Sequence, residues 1–90
     1  MLHTPTFRVL VVEDSTPVRR FICTELQQKP ELLLVGEASD GLEAVQRAHD
    51  LQPDLVLVDI GLPKLNGLEA AKQIRRVAPR AKLLFASMET

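Results

Sequence analysis

The amino-acid sequence predicts an α/β fold, an open and doubly wound parallel sheet with helices on both faces. Short apolar runs alternate along the chain with longer stretches whose apolar residues recur at helical spacing, which is the pattern of βαβ units. The connections between them are short, which favours right-handed crossovers between parallel strands. Residues 55–58 are apolar throughout and lie between Pro53-Asp54 and Gly61-Leu62-Pro63, as expected of a strand buried on both faces.

The first strand and helix are predicted by residue type and by a helix-start signal. Residues 7–12 are rich in β-branched side chains and predict a strand that ends at Glu13-Asp14. Ser15 and Pro17 predict the start of a helix, because a hydroxyl can cap the first turn and a proline there loses no hydrogen bond. The helix should end at Lys29-Pro30. Its apolar stripe is expected to comprise Val18, Phe21, Ile22, Cys23 and Leu26.

The remaining elements follow the same alternation. Residues 32–35 predict a second strand and residues 36–41 a loop, in which Asp40 can cap a helix over about 42–51. The inward face of that helix should consist of Leu42, Val45 and Ala48, with Ala44 and Leu51 beside them. The third strand ends at Asp59. A third helix over about 67–77 follows, and its apolar positions are expected at Leu68, Ala71, Ile74 and Ala78. Residues 82–86 predict a fourth strand that ends at Ser87.

Composition limits the classes of protein. Ninety residues with 46% hydrophobic content predict a single domain over residues 1–90 with a small core. The net charge is −1, and three Phe are the only aromatic residues, so we expect no direct binding to nucleic acid and no attraction to membranes. Cys23 is the only cysteine, which excludes an intramolecular disulfide and fits a reducing compartment. The apolar run 9–12 is too short for a signal peptide or a membrane span, so a cytoplasmic location is expected.

Acidic residues follow two of the predicted strands. Glu13 and Asp14 end the first strand and Asp59 ends the third. Ligand sites of open parallel sheets lie at the carboxyl ends of the strands, so these side chains should meet if the two strands are neighbours. Three like charges in one cleft raise the pKa of at least one of them unless a cation binds. Clusters of carboxylate oxygens suit hard divalent ions, and the sequence therefore predicts a Mg²⁺ site.

These acidic residues form part of a longer pattern. Glu13-Asp14 follow the first strand, Asp59 the third and Ser87 the fourth, and Pro63 and Gly67 complete the spacing Asp-x-x-x-Pro-x-x-x-Gly after Asp59. From Phe7 onward the chain resembles the receiver domain of two-component response regulators. The resemblance implies a flavodoxin-like fold with the strand order 2-1-3-4 and the fifth strand missing. The run Ser-Asp-Gly-Leu-Glu-Ala-Val at 39–45 is most similar to receivers of LuxR/NarL-type transcription factors.

The resemblance implies a role for each matching residue. Asp59 would be the phosphoacceptor, and Glu13, Asp14 and Asp59 would bind Mg²⁺ together with the carbonyl of Gly61. Ser87 would be the hydroxyl that turns toward the phosphoryl group. The implied partner is a sensor histidine kinase, and the implied catalysis is at most self-phosphorylation and autodephosphorylation. The ordinary structural alternatives are a loop-initiating role for Asp59 and helix capping for Asp14 and Ser87.

The length of the chain gives a further expectation. Five βα units need roughly 100 or more residues, so the domain is expected to lack the fourth helix, the fifth strand and the fifth helix of the family. The family's lysine at the end of the fifth strand would be absent too, and neither Lys64, Lys72 nor Lys82 is at a matching position. The fourth strand would then be an apolar edge, which predicts a homodimer or a strand-swapped oligomer.

Three classes of function follow from these features. The first is a phosphoacceptor module that receives a phosphoryl group from the kinase on Asp59 and loses it by hydrolysis. The second is a degenerate receiver that acts only through protein interaction or dimerisation. The third, an Asp-nucleophile phosphohydrolase, needs a second aspartate two residues after the first, and Gly61 stands there. A dinucleotide-binding protein is disfavoured because no Gly-x-Gly-x-x-Gly follows the first strand.

Overall fold

The structure is a computed structural model that describes residues 6–59 and 67–86. Its four strands form one parallel sheet in the order β2-β1-β3-β4. The predicted fold class and strand order are thereby confirmed. The elements in chain order are β1 (Phe7–Val12), α1 (Thr16–Gln27), β2 (Leu32–Ala38), α2 (Gly41–Leu51), β3 (Leu55–Asp59), α3 (Gly67–Val77) and β4 (Lys82–Ala86).

The alternation of side chains along β1 divides the core into two layers. Val9 and Val11 are fully buried and pack with Cys23 and the half-buried Ile22 and Leu26 of α1 on one face of the sheet. The other face is covered by α2 and α3. Its buried cluster comprises Leu10, Val12, Ala38, Ala44, Ala48, Val56, Val58, Ile74 and Ala78. β1 is buried on both faces because helices cover it from both sides.

Side-chain caps fix the start of α1 and α2. The hydroxyl of Ser15 accepts a hydrogen bond from the N–H of Val18 at 3.4 Å, as the sequence predicts. Asp40 Oδ1 accepts from the N–H of Glu43 at 2.8 Å, and Glu43 Oε1 accepts from the N–H of Ser39 at 2.7 Å. This reciprocal pair resembles a capping box, and it starts α2 at Gly41.

The second strand is longer than the sequence predicts. β2 continues through residues 36–38, which the sequence analysis placed in a loop. The register shifts between Val9 and Leu10 of β1, so the ladder passes over one residue of β2 and goes on to pair Val12 with Ala38. Gly36 lies in this extension beside Leu51, and a Cβ atom there would be 2.6 Å from Leu51 Cδ1, so that side chain would have to shift. The extension brings the end of β2 beside the end of β1.

Three large residues predicted to face the core are exposed instead. Phe21 is 57% exposed, and Leu42 and Leu68 are each 65% exposed. The buried positions of α2 and α3 are mostly small, and comprise Gly41, Ala44, Ala48, Ala70, Ala71 and Ile74. Small residues let the two helices approach the sheet and each other closely, which leaves the larger side chains near the helix ends outside the contact. The predicted burial of Ala48, Ala71 and Ile74 is confirmed.

The described helices are short. The longest is α1 with 12 residues, and none of those in the described ranges combines the length and the apolar character that crossing a membrane requires.

Candidate functional site

The site lies at the carboxyl edge of the sheet, where β1 and β3 end side by side. Val12 pairs with Val58, so Glu13 and Asp14 after β1 come next to Asp59 at the end of β3. One carboxylate oxygen from each of the three residues can be chosen so that all lie within 4.8 Å of one another. Glu13 is buried, Asp59 is half-buried and Asp14 is exposed. The three side chains therefore form a cleft with a buried base and an open rim.

Glu13 is the most constrained member of this acidic cluster. Glu13 is only 2% exposed, and its Oε2 accepts a hydrogen bond from the N–H of Ser15 at 2.8 Å. Its other oxygen, Oε1, is buried and has no hydrogen-bond partner among the described residues. Burial of a carboxylate oxygen without a partner costs free energy, because water is removed and nothing replaces it.

The pKa of Glu13 reflects this environment. Burial is the main reason that its pKa rises from 4.5 to about 7. The hydrogen bond from the backbone of Ser15 opposes the rise, whereas the neighbouring carboxyl groups of Asp59 and Asp14 add to it. A cation between the three carboxylates would reverse the balance by stabilising the charged form of Glu13.

The donor set of the cluster fits a hard divalent cation. All three ligand groups are carboxylates, and the buried Oε1 of Glu13 has an unused acceptor position that a cation can fill. The three oxygens lie within 4.8 Å of one another, and they would have to draw closer to share one ion, because Mg²⁺ binds its ligands at about 2.0–2.1 Å. The exposed rim at Asp14 leaves room for water ligands, which Mg²⁺ usually retains.

The other predicted site residues divide into two groups. Gly61 and Ser87 lie outside the described residues, and so do Pro63 and Lys64 of the surrounding pattern. Lys82 pairs with Leu55 at the start of β4, at the edge of the sheet opposite to Asp59, and Lys72 is exposed on α3. Neither lysine belongs to the acidic cluster, in agreement with the sequence analysis.

Sequence reasoning missed one residue beside the cluster, Arg19. The predicted helix stripe left it on the outside of α1, yet its side chain is only 17% exposed. Its Nη1 donates to the carbonyl oxygen of Glu13 at 2.9 Å, and its Nε donates to Glu37 Oε1 at 3.1 Å. The sequence did contain a signal for this contact. Arg19 lies one turn after the Ser15 cap, and helical side chains are tilted toward the N-terminus of the helix, which here adjoins the end of β1.

The family follows from comparison with known proteins. A model of the response regulator receiver domain matches residues 9–90. The chain belongs to this family. A protein-glutamate methylesterase/protein-glutamine glutaminase of Thermotoga maritima is 43% identical to this receiver domain over 81 residues, which are 90% of this chain and 24% of that protein. The chain thus spans about a quarter of the length of this curated relative.

Solved structures agree with the fold. The response regulator domain of Thermotoga maritima CheB matches with a TM-score of 0.85 and 41% identity, over 91% of this chain and 60% of that one. A LuxR-family response regulator from Aurantimonas sp. SI85-9A1 matches with a TM-score of 0.86 and 32% identity, over 94% of this chain and 61% of that one. Membership of the receiver family is thus established. The finer assignment to the LuxR/NarL-type subgroup is not, because three curated methylesterases are 40–43% identical to this chain whereas the LuxR-family structure is 32% identical.

Proposed function

We propose that this receiver domain accepts a phosphoryl group on Asp59, with Mg²⁺ held by Glu13, Asp14 and Asp59. The observation that carries the proposal is the meeting of three carboxylates at one edge of the sheet, where the buried Oε1 of Glu13 has no hydrogen-bond partner among the described residues. Such a cluster attracts a cation and repels a phosphoryl anion. A divalent ion is therefore needed before the donor can approach Asp59.

The chemistry is that of a carboxylate nucleophile. An oxygen of Asp59 forms a bond to phosphorus while the bond from phosphorus to the donor breaks, which gives an acyl phosphate on Asp59. Attack by water then returns the carboxylate and releases inorganic phosphate. Phosphoryl transfer depends mainly on in-line positioning and on neutralisation of the phosphoryl oxygens, and Mg²⁺ supplies that neutralisation when bound. Glu13 and Asp14 provide the negative charge that retains the cation beside Asp59.

Two more residues complete the proposed site. By resemblance to the family, the carbonyl of Gly61 adds a metal ligand and the hydroxyl of Ser87 turns toward the phosphoryl group. A hydroxyl that moves to bond a new phosphate changes the packing around it, which is how a local charge can become a signal. Both residues lie outside the described ranges, so the support for these roles is the sequence pattern alone.

The proposed partner is a sensor histidine kinase that donates the phosphoryl group from phosphohistidine in the cytoplasm. Family membership supports this partner, and the single, buried, unpaired cysteine fits a reducing compartment. We also infer that the output is the regulation of a methylesterase rather than transcription. The support is that the methylesterase relatives reach about 40% identity or more, whereas the LuxR-family structure is 32% identical.

The first experiment is phosphorylation of the purified protein with acetyl phosphate and Mg²⁺, followed by intact mass. The wild-type protein should gain one phosphoryl group, and Asp59→Asn should gain none because an amide is a poor nucleophile. Asp50→Asn is the matched control. Asp50 is exposed near the end of α2, before the start of β3, whereas Asp59 lies at the end of β3.

The outcomes are distinct. A phosphoryl group gained by wild type and Asp50→Asn but not by Asp59→Asn supports the proposal. Equal gain by Asp59→Asn would place the acceptor elsewhere, and no gain by folded wild-type protein in the presence of Mg²⁺ would reject phosphoacceptor function for this chain.

A second candidate function is an interaction module without phosphorylation. The observation that favours it is exposed apolar surface on β4, where Leu84 is 53% and Phe85 41% exposed. In the described residues, β4 pairs with β3 on one side only. A homodimer or strand-swapped oligomer through β4 is the corresponding prediction, and light scattering after size exclusion measures it directly. A monomer at concentrations near 100 μM would contradict it. The dissociation constant would then be roughly millimolar or weaker, which corresponds to a binding free energy of only about 4 kcal/mol.

A further inference from the structure

We propose that Arg19 is a positioning residue for the Mg²⁺ site, since it fixes the turn that carries Glu13 and Asp14. The inference deepens the proposed function and rests on it. The turn between β1 and α1 supplies two of the three carboxylates of the acidic cluster. The direction in which those side chains leave the backbone therefore determines whether the three oxygens can share one ion.

Hydrogen bonds hold the backbone of Glu13 from both sides. Its N–H donates to the carbonyl oxygen of Ala38 at 2.9 Å, at the end of β2. Its own carbonyl oxygen accepts from Arg19 Nη1 at 2.9 Å. Because the residue is only 2% exposed, water has little access to this carbonyl group, and Arg19 supplies the hydrogen bond that water cannot.

The bond to the carbonyl of Glu13 also orients Asp14. The carbonyl oxygen of Glu13 and the nitrogen of Asp14 belong to one planar peptide unit. A fixed direction for that oxygen therefore fixes the plane, and with it the point from which the Asp14 side chain departs. Asp14 itself is exposed, so its side chain has few other contacts to define its position.

The guanidinium group of Arg19 is itself held in place. Its Nε donates to Glu37 Oε1 at 3.1 Å, and the backbone N–H of Arg19 donates to the carbonyl oxygen of Ser15 at 2.8 Å in the first turn of α1. Arg19 therefore joins the end of β1 to the end of β2. Arg19 bonds Glu13 and Glu37 through two different nitrogens of a planar group, whereas a lysine would have to reach both from a single nitrogen.

Positioning and simple electrostatics predict opposite effects of removing Arg19. A positive charge close to a cation site repels the cation, so by charge alone Arg19→Ala should tighten Mg²⁺ binding. If Arg19 positions the ligands, the same substitution should weaken binding. Losing a hydrogen-bonding group that orients ligands typically weakens metal binding by about tenfold or more. The direction of the change in Kd therefore decides between the two roles.

The test is a calorimetric titration of Mg²⁺ into metal-free wild type, Arg19→Ala, Arg19→Lys and Arg20→Ala, below the thermal unfolding of each. Arg20→Ala is the matched control, because Arg20 is an exposed arginine on the same helix whose side chain makes no hydrogen bond among the described residues. We expect Arg19→Ala to raise the Kd about tenfold and Arg19→Lys to raise it by a smaller factor that still exceeds about twofold. Arg20→Ala should leave the Kd within about twofold of wild type, the scale of an exposed charge.

The variants keep the proposal testable whatever the stability of Arg19→Ala. If that variant does not fold, Arg19→Lys provides the test, because it keeps the positive charge and loses only the planar arrangement of donors. A Kd within twofold of wild type, or a lower one, in a folded Arg19 variant overturns the inference even if its melting temperature falls. Equal weakening by Arg20→Ala overturns it as well. Failure of wild-type protein to bind Mg²⁺ would instead reject the proposed function, and the inference with it.

Discussion

In the metal-free protein, the contribution of Glu13 to the free energy of unfolding should fall as the pH rises from about 4.5 to about 7, and Mg²⁺ should offset the loss. The pKa of Glu13 is about 7 in the folded protein, against an ordinary value of 4.5. Between these values the folded chain keeps a proton that the unfolded chain has released. Stability decreases with pH wherever the folded state binds more protons, so the loss begins near pH 4.5 and is complete above about pH 7.

The size of this effect is large for a small domain. A change in pKa from 4.5 to about 7 corresponds to on the order of 3 kcal/mol, at about 1.4 kcal/mol for each unit of pKa. Glu13 is 2% exposed, so solvent screens the interaction little. Small domains have only about 5–15 kcal/mol of stability in total. Above pH 7 the buried carboxylate is charged and destabilising, and this is the condition under which a divalent cation should stabilise the fold most.

The measurement is urea unfolding across pH 4 to 8 for wild type and Glu13→Gln, each with a chelator and with excess Mg²⁺. Other carboxyl groups also titrate in this range, so the difference between the two proteins isolates Glu13. With chelator, Glu13→Gln should become relatively more stable as the pH rises, and it should lose most of the stabilisation by Mg²⁺. Glu25→Gln, an exposed glutamate on α1, is the control and should follow wild type. A wild-type curve that rises relative to Glu13→Gln through this window would contradict the assignment.

The elements of the fold were predictable where a local pattern decides them. Residues 55–58 are apolar at every position, which is typical of a buried strand, and the structure buries Val56 and Val58 fully and Leu55 and Leu57 partly. The sequence predicts that Glu13, Asp14 and Asp59 meet if β1 and β3 are neighbours, and in the structure these strands pair and the three residues meet. The end of β2 was not predictable in the same way. Gly36 and Glu37 are typical of loops, and they pair with Leu10 and Val11 of β1 only after a register shift that no local pattern indicates.

The parts of the site that escaped prediction involve the backbone or the depth of burial. Arg19 binds a carbonyl oxygen of Glu13, and no residue pattern records the direction of a carbonyl group. The sequence placed Glu13 and Asp14 side by side with equal charge, yet one is buried and the other exposed. Their difference arises from the turn after β1, where the N–H of Glu13 is tied to Ala38 and its side chain folds back toward Ser15.

The second large effect concerns two apolar residues of α3 that share the same helical spacing but differ in burial. Replacing Ile74 by alanine should lower the free energy of unfolding by about 2–5 kcal/mol, the usual cost of removing a large aliphatic side chain from a packed core. Replacing Leu68 by alanine should change the free energy of unfolding by no more than about 0.5 kcal/mol. Ile74 is 0% exposed and packs in the cluster that contains Leu10 and Val56, whereas Leu68 is 65% exposed.

The sequence cannot make this distinction, because both residues lie on the helical spacing that predicts an inward face. In the structure, Leu68 lines an open groove of about 300 Å³ with Phe85 and Lys72, and no described element covers that groove. Both substitutions end in alanine on the same helix, so their difference in urea unfolding reports packing rather than helix propensity. A cost near that of Ile74 for Leu68→Ala would show that the groove is covered in solution. Phe85 of β4, which lines the same groove, would then be part of a contact surface, and a measurement of the oligomeric state would show whether a second copy of the chain forms that contact.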